Sequence, residues 1–399
     1  MTGASVLYIT YDGLMEPLGQ SQVWQYLAGL SVNHKIVLMS FEKQVDWENE
    51  TEKSRIKAEV KSKGVIWVPL RYHSKPSALA TLFDIITGIV VGSYQVVRHR
   101  IKIVHARSYV SSVIALSLKK LLSIKYIFDM RGFWADERID GGIWPKGSRL
   151  YRVAKWFEQK FLLNADVVVS LTQTAVQDMC SFSYMQGIQQ KFVVIPTCVN
   201  LALFHPAVTT IKRHADDFVL GYVGSVGTWY LFDEALRTFI ALVKLKPHAR
   251  LLIINRNEHD FIRERVTVLG VDAAKVELKS AAHHEVVQAI HQMDACVFYI
   301  KQAFSKRASA PTKFGELLGC GVPCISNSGV GDTESILKGE NVGVVLDSFD
   351  DAAHVQGVEI LLKLVADVDV KPRCINVANQ YFALEQGVKN YDQIYRELF

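Results

Sequence analysis

Short apolar runs rich in β-branched residues, alternating with amphipathic segments of helix length, constrain this chain more than any other feature. The runs VLYIT (6–10), KIVLMSF (35–41), VIWVPL (65–70), IKIVHA (101–106), KYIFDM (125–130), ADVVVSL (165–171) and KFVVIP (191–196) are separated by patterns such as QSQVWQYLAGL (20–30) and SRLYRVAKWFEQKFLL (148–163). This order predicts parallel strands joined by crossover helices. A proline-punctuated stretch, VIPTCVNLALFHPAV (194–208), interrupts the alternation. It then restarts with FVLGYVG (218–224), ARLLIIN (249–255), KVELKS (275–280), ACVFYI (295–300), VPCIS (322–326) and VGVVL (342–346). The expected fold class is α/β, with two Rossmann-like domains of similar size joined near residue 200.

Composition narrows the class without naming a ligand. The chain has 399 residues, 49% of them apolar and 21% charged, which is globular composition at a length suited to two or three domains. A formal charge of +5 fits an anionic ligand or membrane face but is too weak to indicate nucleic acid. The six cysteines are scattered and lack zinc-ligand spacing, so reduced thiols of a cytoplasmic protein are expected. The N-terminus enters a strand directly, with no signal-peptide pattern. The charged stretch 42–64 reads as a solvated helix and loop. Residues 78–97, ALATLFDIITGIVVGSYQVV, are nearly continuous apolar sequence interrupted by Asp84, which predicts a buried or interfacial helix in preference to a membrane span.

Both halves open on a strand that runs into a glycine turn: YDGLMEPLGQSQ in the first and GYVGSVGTWYLFDEAL in the second. In open parallel sheets ligands gather at the carboxyl ends of strands, where turn amides and helix N-termini point at anions. Neither turn carries a GxGxxG or a Walker lysine, so a dinucleotide or ordinary NTP site does not follow. The richest stretch is SAPTKFGELLGCGVPCISNSGVGD (309–332). Pro311 and Thr312 should start a helix with Lys313 and Glu316 on one face. A cation and a carboxylate at a helix start suit a nucleotide sugar: the ammonium takes phosphate and the carboxylate accepts ribose hydroxyls. The competing reading is an i,i+3 salt bridge on a solvated face. Asp367-Val-Asp369 imitates a metal-binding DxD but falls outside any strand end, and His283-His284 has no partner at metal-ligand spacing, so no metal is expected.

The run from Ser309 through Pro311, Thr312 and Lys313 to Glu316, followed by GCGVPCI, resembles the SxPTKxxE…GxGxPVI signature of family-4-like glycosyltransferases with the GT-B fold. YDGLMEPLGQSQV, GSVGTWY (224–230) and the IPNGVD-like linker VIPTCVNLALFHP support the resemblance, which spans nearly the whole chain. It implies two Rossmann-like domains facing a cleft (1–200 on the acceptor side, 201–378 binding the nucleotide sugar), with the helix at 379–399 crossing back to the N-domain. It implies a donor site made of Gly19, Gln20, Gly224, Ser225, Gly227, Thr228, Arg256, Ser309, Pro311, Thr312, Lys313 and Glu316. Glu316 matches the second Glu of the family's E-x7-E motif, while the first falls on Ala308. The Arg and Lys that clamp the diphosphate in many relatives are missing from GSVGTWY, leaving Arg256 and Lys313 as replacements. On the N-terminal side His105, Asp129 and Arg131 are the expected catalytic group, with Arg131 standing where similar enzymes carry a His. Asp136 and Glu137 are acceptor-side carboxylates or loop-solvating groups.

The implied activity is metal-independent, retaining transfer of a hexose-type sugar from a nucleoside diphosphate to a hydroxyl of a glycan or lipid-linked acceptor, in cell-surface polysaccharide assembly. No cofactor beyond the donor substrate is expected. Two rivals share the fold: a non-hydrolysing nucleotide-sugar epimerase, and a catalytically lapsed binding scaffold motivated by Ala308 and the missing clamp. Basic residues on either side of 78–97 (Arg71, His73, Lys75 and the RHRIK run 98–102) would fit an anionic membrane surface. The expected location is cytoplasmic, peripheral on the inner membrane face.

Overall fold

The computed structural model describes residues 3–75, 77–207, 217–281 and 283–399; the side chains of Ser77, His283 and His284 lie outside that description. The chain forms two compact units, Met1–Pro196 with Leu384–Phe399, and Thr197–Ala383. The first contains a seven-stranded parallel sheet of β1 (Ser5–Thr10), β2 (Lys35–Glu42), β3 (Ile66–Arg71), β4 (Ile103–Arg107), β5 (Lys125–Asp129), β6 (Val167–Ser170) and β7 (Phe192–Val194), in spatial order β3-β2-β1-β4-β5-β6-β7. The second has a six-stranded parallel sheet of β8 (Val219–Val223), β9 (Arg250–Ile254), β10 (Val276–Lys279), β11 (Ala295–Val297), β12 (Cys324–Asn327) and β13 (Gly343–Leu346), in order β10-β9-β8-β11-β12-β13.

Every strand expected from the apolar runs has its counterpart here. The reason is that a parallel sheet covered by helices on both faces needs apolar residues on both sides of each strand, which makes continuous rather than alternating runs. Val6, Leu7 and Ile9 in β1 and Leu251 and Ile253 in β9 have at most 1% exposure. The runs KFVVIP and ACVFYI are each cut to three residues, Phe192–Val194 and Ala295–Val297. Beyond Val297 the Asn327 side chain replaces the ladder, its Oδ1 accepting from the Ile300 amide at 2.8 Å and its Nδ2 donating to the Ile300 carbonyl at 3.0 Å.

The unit boundary falls at Pro196/Thr197 rather than at 200. The final amphipathic pattern, expected as one helix over 379–399, is divided. Ala378–Phe382 forms a π-helical turn in the second unit, and the terminal helix is Leu384–Leu398. That helix packs on the first unit. Val388 meets Gly29, Tyr391 lies edge-on to Tyr26 at 5.7 Å, and Asp392 receives His34 Nε2 at 2.8 Å. A side chain at Gly29 would press on Val388 at 2.9 Å, which gives the closeness of this packing.

Residues 78–97 lie in the helix Ser77–His99 of the first unit. Its inner side packs through Gly88 and Gly92 on Ile114 and Leu118. Its outer side is apolar: Leu79, Leu82, Phe83, Ile86, Val90, Tyr94 and Val97 are all more than half exposed. Amphipathic helices of soluble domains normally turn charge outward, so this helix is inverted over about 30 Å of its length, at 1.5 Å per residue.

Candidate functional site

The second unit builds a compact polar site at the carboxyl ends of β8 and β9. β8 ends at Val223, and Gly224 follows with φ 108°, a conformation that favours glycine. A Cβ there would come within 2.9 Å of Lys313 Nζ, so glycine leaves room for the ammonium. Lys313 stands in the first turn of the helix Thr312–Gly319, which Pro311 starts as N-cap. Its Nζ lies over the Tyr230 ring at 4.1 Å and the Tyr222 ring at 5.4 Å, and has no hydrogen-bond partner among the described residues. Burial pushes the Lys313 pKa down to about 8, with Cys296 and Glu316 opposing. Glu316 is buried on the same helix, and its pKa is pushed up to about 7 by burial, with Lys313 opposing.

The solvated salt-bridge reading of this pair is therefore overturned. Lys313 and Glu316 have 8% and 9% exposure, and the ammonium is left without a hydrogen bond. A buried ion without a matched counter-charge is destabilising by several kcal/mol unless a ligand completes it. The pair is arranged to accept something from outside: an anion at Lys313 and a donor hydroxyl at Glu316.

The turn after β8 corrects a second expectation. The family resemblance places Ser225, Gly227 and Thr228 in the donor site. The turn instead holds a carboxylate of its own. Glu258 accepts from Ser225 Oγ at 2.8 Å, from the Val226 amide at 3.1 Å and from Asn255 Nδ2 at 2.9 Å, with the Gly227 amide also bonded to it. These bonds outweigh burial and hold the Glu258 carboxyl below its ordinary range. The turn is thus an anion nest, as expected, but its occupant is internal. Thr228 sits at φ 53°, an unusual backbone state for a branched residue. Sequence reasoning missed Glu258 because nothing in NRNEHD signals which side chain folds back on a turn 32 residues upstream. Arg256 is exposed, Ser309 and Thr312 are half-buried near the helix start, and Ala308 is buried, so the position of the first Glu offers no carboxylate.

In the first unit the loop after β1 is likewise filled from within. Glu42 is buried, and its carboxylate accepts from the amides of Leu14 at 2.8 Å and Met15 at 3.2 Å and from Ser40 Oγ at 2.5 Å. The Gly13 amide donates to Glu16 at 3.0 Å. Gln20 spends its amide group on the Leu14 carbonyl at 2.7 Å. Gly19 is required by the loop itself, since a Cβ would stand 2.0 Å from the Gly13 carbonyl oxygen. Gln20 thus has its side-chain nitrogen engaged within the loop, and Gly19 serves the close packing of that loop.

The expected catalytic trio does converge, at the ends of β4 and β5, but it is mostly closed off. His105 is fully buried. Its Nδ1 lies 2.7 Å from Tyr395 Oη of the terminal helix, and its ring is flanked by Tyr8 at 4.4 Å and Tyr391 at 5.2 Å. Burial lowers its pKa, with Asp129 opposing, so it is held neutral. Asp129 has 1% exposure and accepts from Tyr391 Oη at 3.0 Å. Neither can touch a substrate directly in this arrangement. Arg131 is the one of the three with remaining exposure, and it stands at φ 59°. Arg107, which ends the strand that carries His105, joins it beside Asp129. Asp136 is engaged by Tyr151 at 2.8 Å and Lys155 at 2.9 Å, the structural role rather than the acceptor-side one.

Comparison with known proteins agrees with this layout. A glycosyl transferase 4-like domain model matches residues 23–197, and a glycosyl transferases group 1 model matches residues 217–364. No curated protein sequence matches the chain significantly. Among solved structures, a glycosyltransferase from Rickettsia africae ESF-5 is similar at TM-score 0.72 and 14% identity, covering 100% of this chain and 99% of that one. Sucrose-phosphate synthase from Thermosynechococcus elongatus is similar at TM-score 0.72 and 14% identity, covering 99% of each. Anabaena HepE, solved with UDP and glucose, is similar at TM-score 0.65 and 13% identity, covering 98% of each. With two family domains in the expected order, two parallel-sheet units and whole-length structural likeness, the chain belongs to the family-4-like glycosyltransferases of the GT-B fold.

Proposed function

We propose that this glycosyltransferase moves a hexose-type sugar from a nucleoside diphosphate donor to a hydroxyl of a glycan or lipid-linked acceptor. The observation that carries this reading is the buried, unpartnered Lys313 ammonium beside Gly224, with the Glu316 carboxylate on the same helix face. A diphosphate supplies the missing counter-charge and a ribose supplies the hydroxyls. HepE, a structural neighbour, was crystallised with UDP and UDP-glucose, which makes a uridine nucleotide the first probe to try.

In this reading the C1–O bond of the donor breaks early. Lys313, Arg256 and the free amides at the start of Thr312–Gly319 stabilise the departing diphosphate as its charge grows. The positive charge comes from side chains, so the mechanism requires no divalent metal. Retention of configuration is part of this reading, supported by the family resemblance alone. His105, buried and neutral, acts by positioning Asp129 and the terminal helix.

Isothermal titration of UDP into the wild type and the Lys313→Met variant tests the donor site. A charge-assisted contact is worth roughly 1.5–3 kcal/mol, so the variant should bind about 10- to 100-fold more weakly. Equal affinity would overturn the assignment. An epimeric nucleotide sugar formed without added acceptor would favour the epimerase, and absence of any turnover would favour the scaffold.

A cytoplasmic location, peripheral on the inner membrane face, is part of this reading, supported by the inverted helix Ser77–His99. Its apolar outer face is bordered by exposed Arg71, Lys75, Arg98, Arg100 and Lys102, a basic rim suited to an anionic inner leaflet. Peripheral attachment there would bring the enzyme to lipid-linked acceptors of surface polysaccharide. Phe83→Glu with Ile86→Glu should abolish co-sedimentation with anionic vesicles. Wild-type protein that does not sediment in low salt would remove the membrane from the reading.

A further inference from the structure

Four buried polar atoms without hydrogen-bond partners among the described residues meet at the ends of two neighbouring strands of the first unit. They are Arg107 Nε, Arg131 Nε, Asp129 Oδ1 and His105 Nε2. β4 and β5 pair in parallel with Arg107 beside Asp129, so Arg107 and Arg131 leave the same sheet edge two residues apart in register. Their side chains have 6% and 11% exposure. The carboxylates nearest to them stand too far away for hydrogen bonds. Asp12 Oδ2 is 3.5 Å from Arg107 Nε, outside bonding geometry, and Asp129 Oδ1 is 4.0 Å from an Arg131 terminal nitrogen.

Burying a guanidinium is costly, and native structures nearly always satisfy it. Here two are buried at neighbouring strand ends, each with its Nε unmet among the described residues. The surroundings do not supply the deficit. Asp129 is one carboxylate facing two guanidiniums and spends Oδ2 on Tyr391 Oη, Asp12 is part-exposed, and Tyr8, Tyr26 and Tyr391 bring hydroxyls rather than carboxylates to Arg131. His105 is held neutral and adds no charge. Each guanidinium presents five N–H donors in a fixed fork. Donors therefore far exceed acceptors, and a neutral sugar hydroxyl, with two lone pairs, could not balance them. A phosphate or carboxylate could, taken bidentately. Arg131 is held at φ 59° and followed by Gly132 at φ 131°, a strained backbone state of the kind retained where a site needs it.

We infer that Arg107 and Arg131 form an oxyanion-binding site in the first unit, and that the group it takes is a phosphate or carboxylate carried by the acceptor. This deepens the glycosyl-transfer reading by naming the charge of the acceptor, and it stands on residues separate from Lys313 and Glu316. A charged acceptor also fits the chemistry expected of lipid-linked or acidic glycans, whose anionic group can fix register while a nearby hydroxyl reacts.

The test titrates inorganic phosphate and, separately, glucuronate into the full-length protein saturated with UDP. One further site is expected for at least one of the two ions, weakened at least tenfold in Arg107→Gln and in Arg131→Gln. Binding of phosphate alone identifies a phosphorylated acceptor, and of glucuronate alone an acidic sugar; either supports the inference. It is overturned if neither ion binds, if binding survives both substitutions, or if the substitutions remove UDP binding and no separate ion site exists. Should a Gln variant fail to fold, Arg107→Lys, which keeps the charge but not the fork, must still weaken the ion-induced rise in wild-type melting temperature. If wild-type protein does not bind UDP, the donor reading fails, and the same titrations on unliganded protein judge the arginine pair alone.

Discussion

The glycine turns that open the two units solve the same local problem with opposite consequences. Each follows the first strand of a parallel sheet, and each presents backbone amides that need an anion. In the first unit Glu42 fills the loop from a position that is 2% exposed, with Glu16 taking the Gly13 amide. In the second Glu258 fills the turn from the half-exposed start of the helix His259–Val268. A buried carboxylate that bonds three groups is a fixed part of the fold. A carboxylate at the rim can swing away when a better anion arrives. The second turn adjoins Lys313, whose ammonium has no hydrogen-bond partner among the described residues, and its rim-held carboxylate leaves it poised for exchange.

The contrast can be broken most easily at Glu42. Glu42→Ala leaves the Leu14 and Met15 amides buried and unsatisfied and should lower stability by about 2–4 kcal/mol, at roughly 1–3 kcal/mol per orphaned group with partial relief from water. Chemical denaturation reads this loss. UDP affinity of the folded fraction should stay within about twofold of wild type, and a larger change would show that the first loop is also a ligand turn.

A second test uses pH. Lys313 loses its proton above about 8, and Glu316 gains one below about 7. UDP binding should therefore peak between these values and weaken on both sides, by up to about tenfold per pH unit beyond each. The stability signs run the other way. Lys313 is depressed relative to the unfolded chain, so its penalty is complete below pH 8 and is relieved as pH rises from 8 towards its ordinary 10.5. Glu316 is raised, so its penalty is complete above pH 7 and is relieved as pH falls from 7 towards 4.5. Near pH 7.5 both penalties stand, and Lys313→Met or Glu316→Gln should raise the melting temperature of unliganded protein while weakening UDP binding. A melting temperature that falls in both variants would contradict the idea that these groups are kept for a ligand.

The smallest effect is expected at Glu258. Removing the resident anion frees the turn, so Glu258→Ala should tighten UDP binding by about three- to tenfold, the fraction of time the turn is now blocked. Weaker binding in this variant would mean that Glu258 itself contacts the donor, and that the two turns differ less than their exposures imply.

The apolar runs were enough to place each strand of both sheets, because continuous β-branched stretches between helix-length patterns have few other uses than a doubly covered parallel sheet. SAPTKFGE was equally legible: proline and threonine begin the helix, and three-residue spacing fixes Lys313 and Glu316 on one face whatever surrounds them. The chain could not reveal from its order alone what fills each turn. Glu42 meets residues 28 positions earlier and Glu258 meets Ser225, contacts set by how neighbouring strands end. Nor could it reveal that the terminal helix would cover His105 and Asp129 with Tyr395 and Tyr391, more than 260 residues away. Local pattern decides secondary structure because it acts through backbone geometry within a few residues. Burial and hydrogen-bond partnership decide which polar groups remain available for chemistry, and those belong to the folded chain alone.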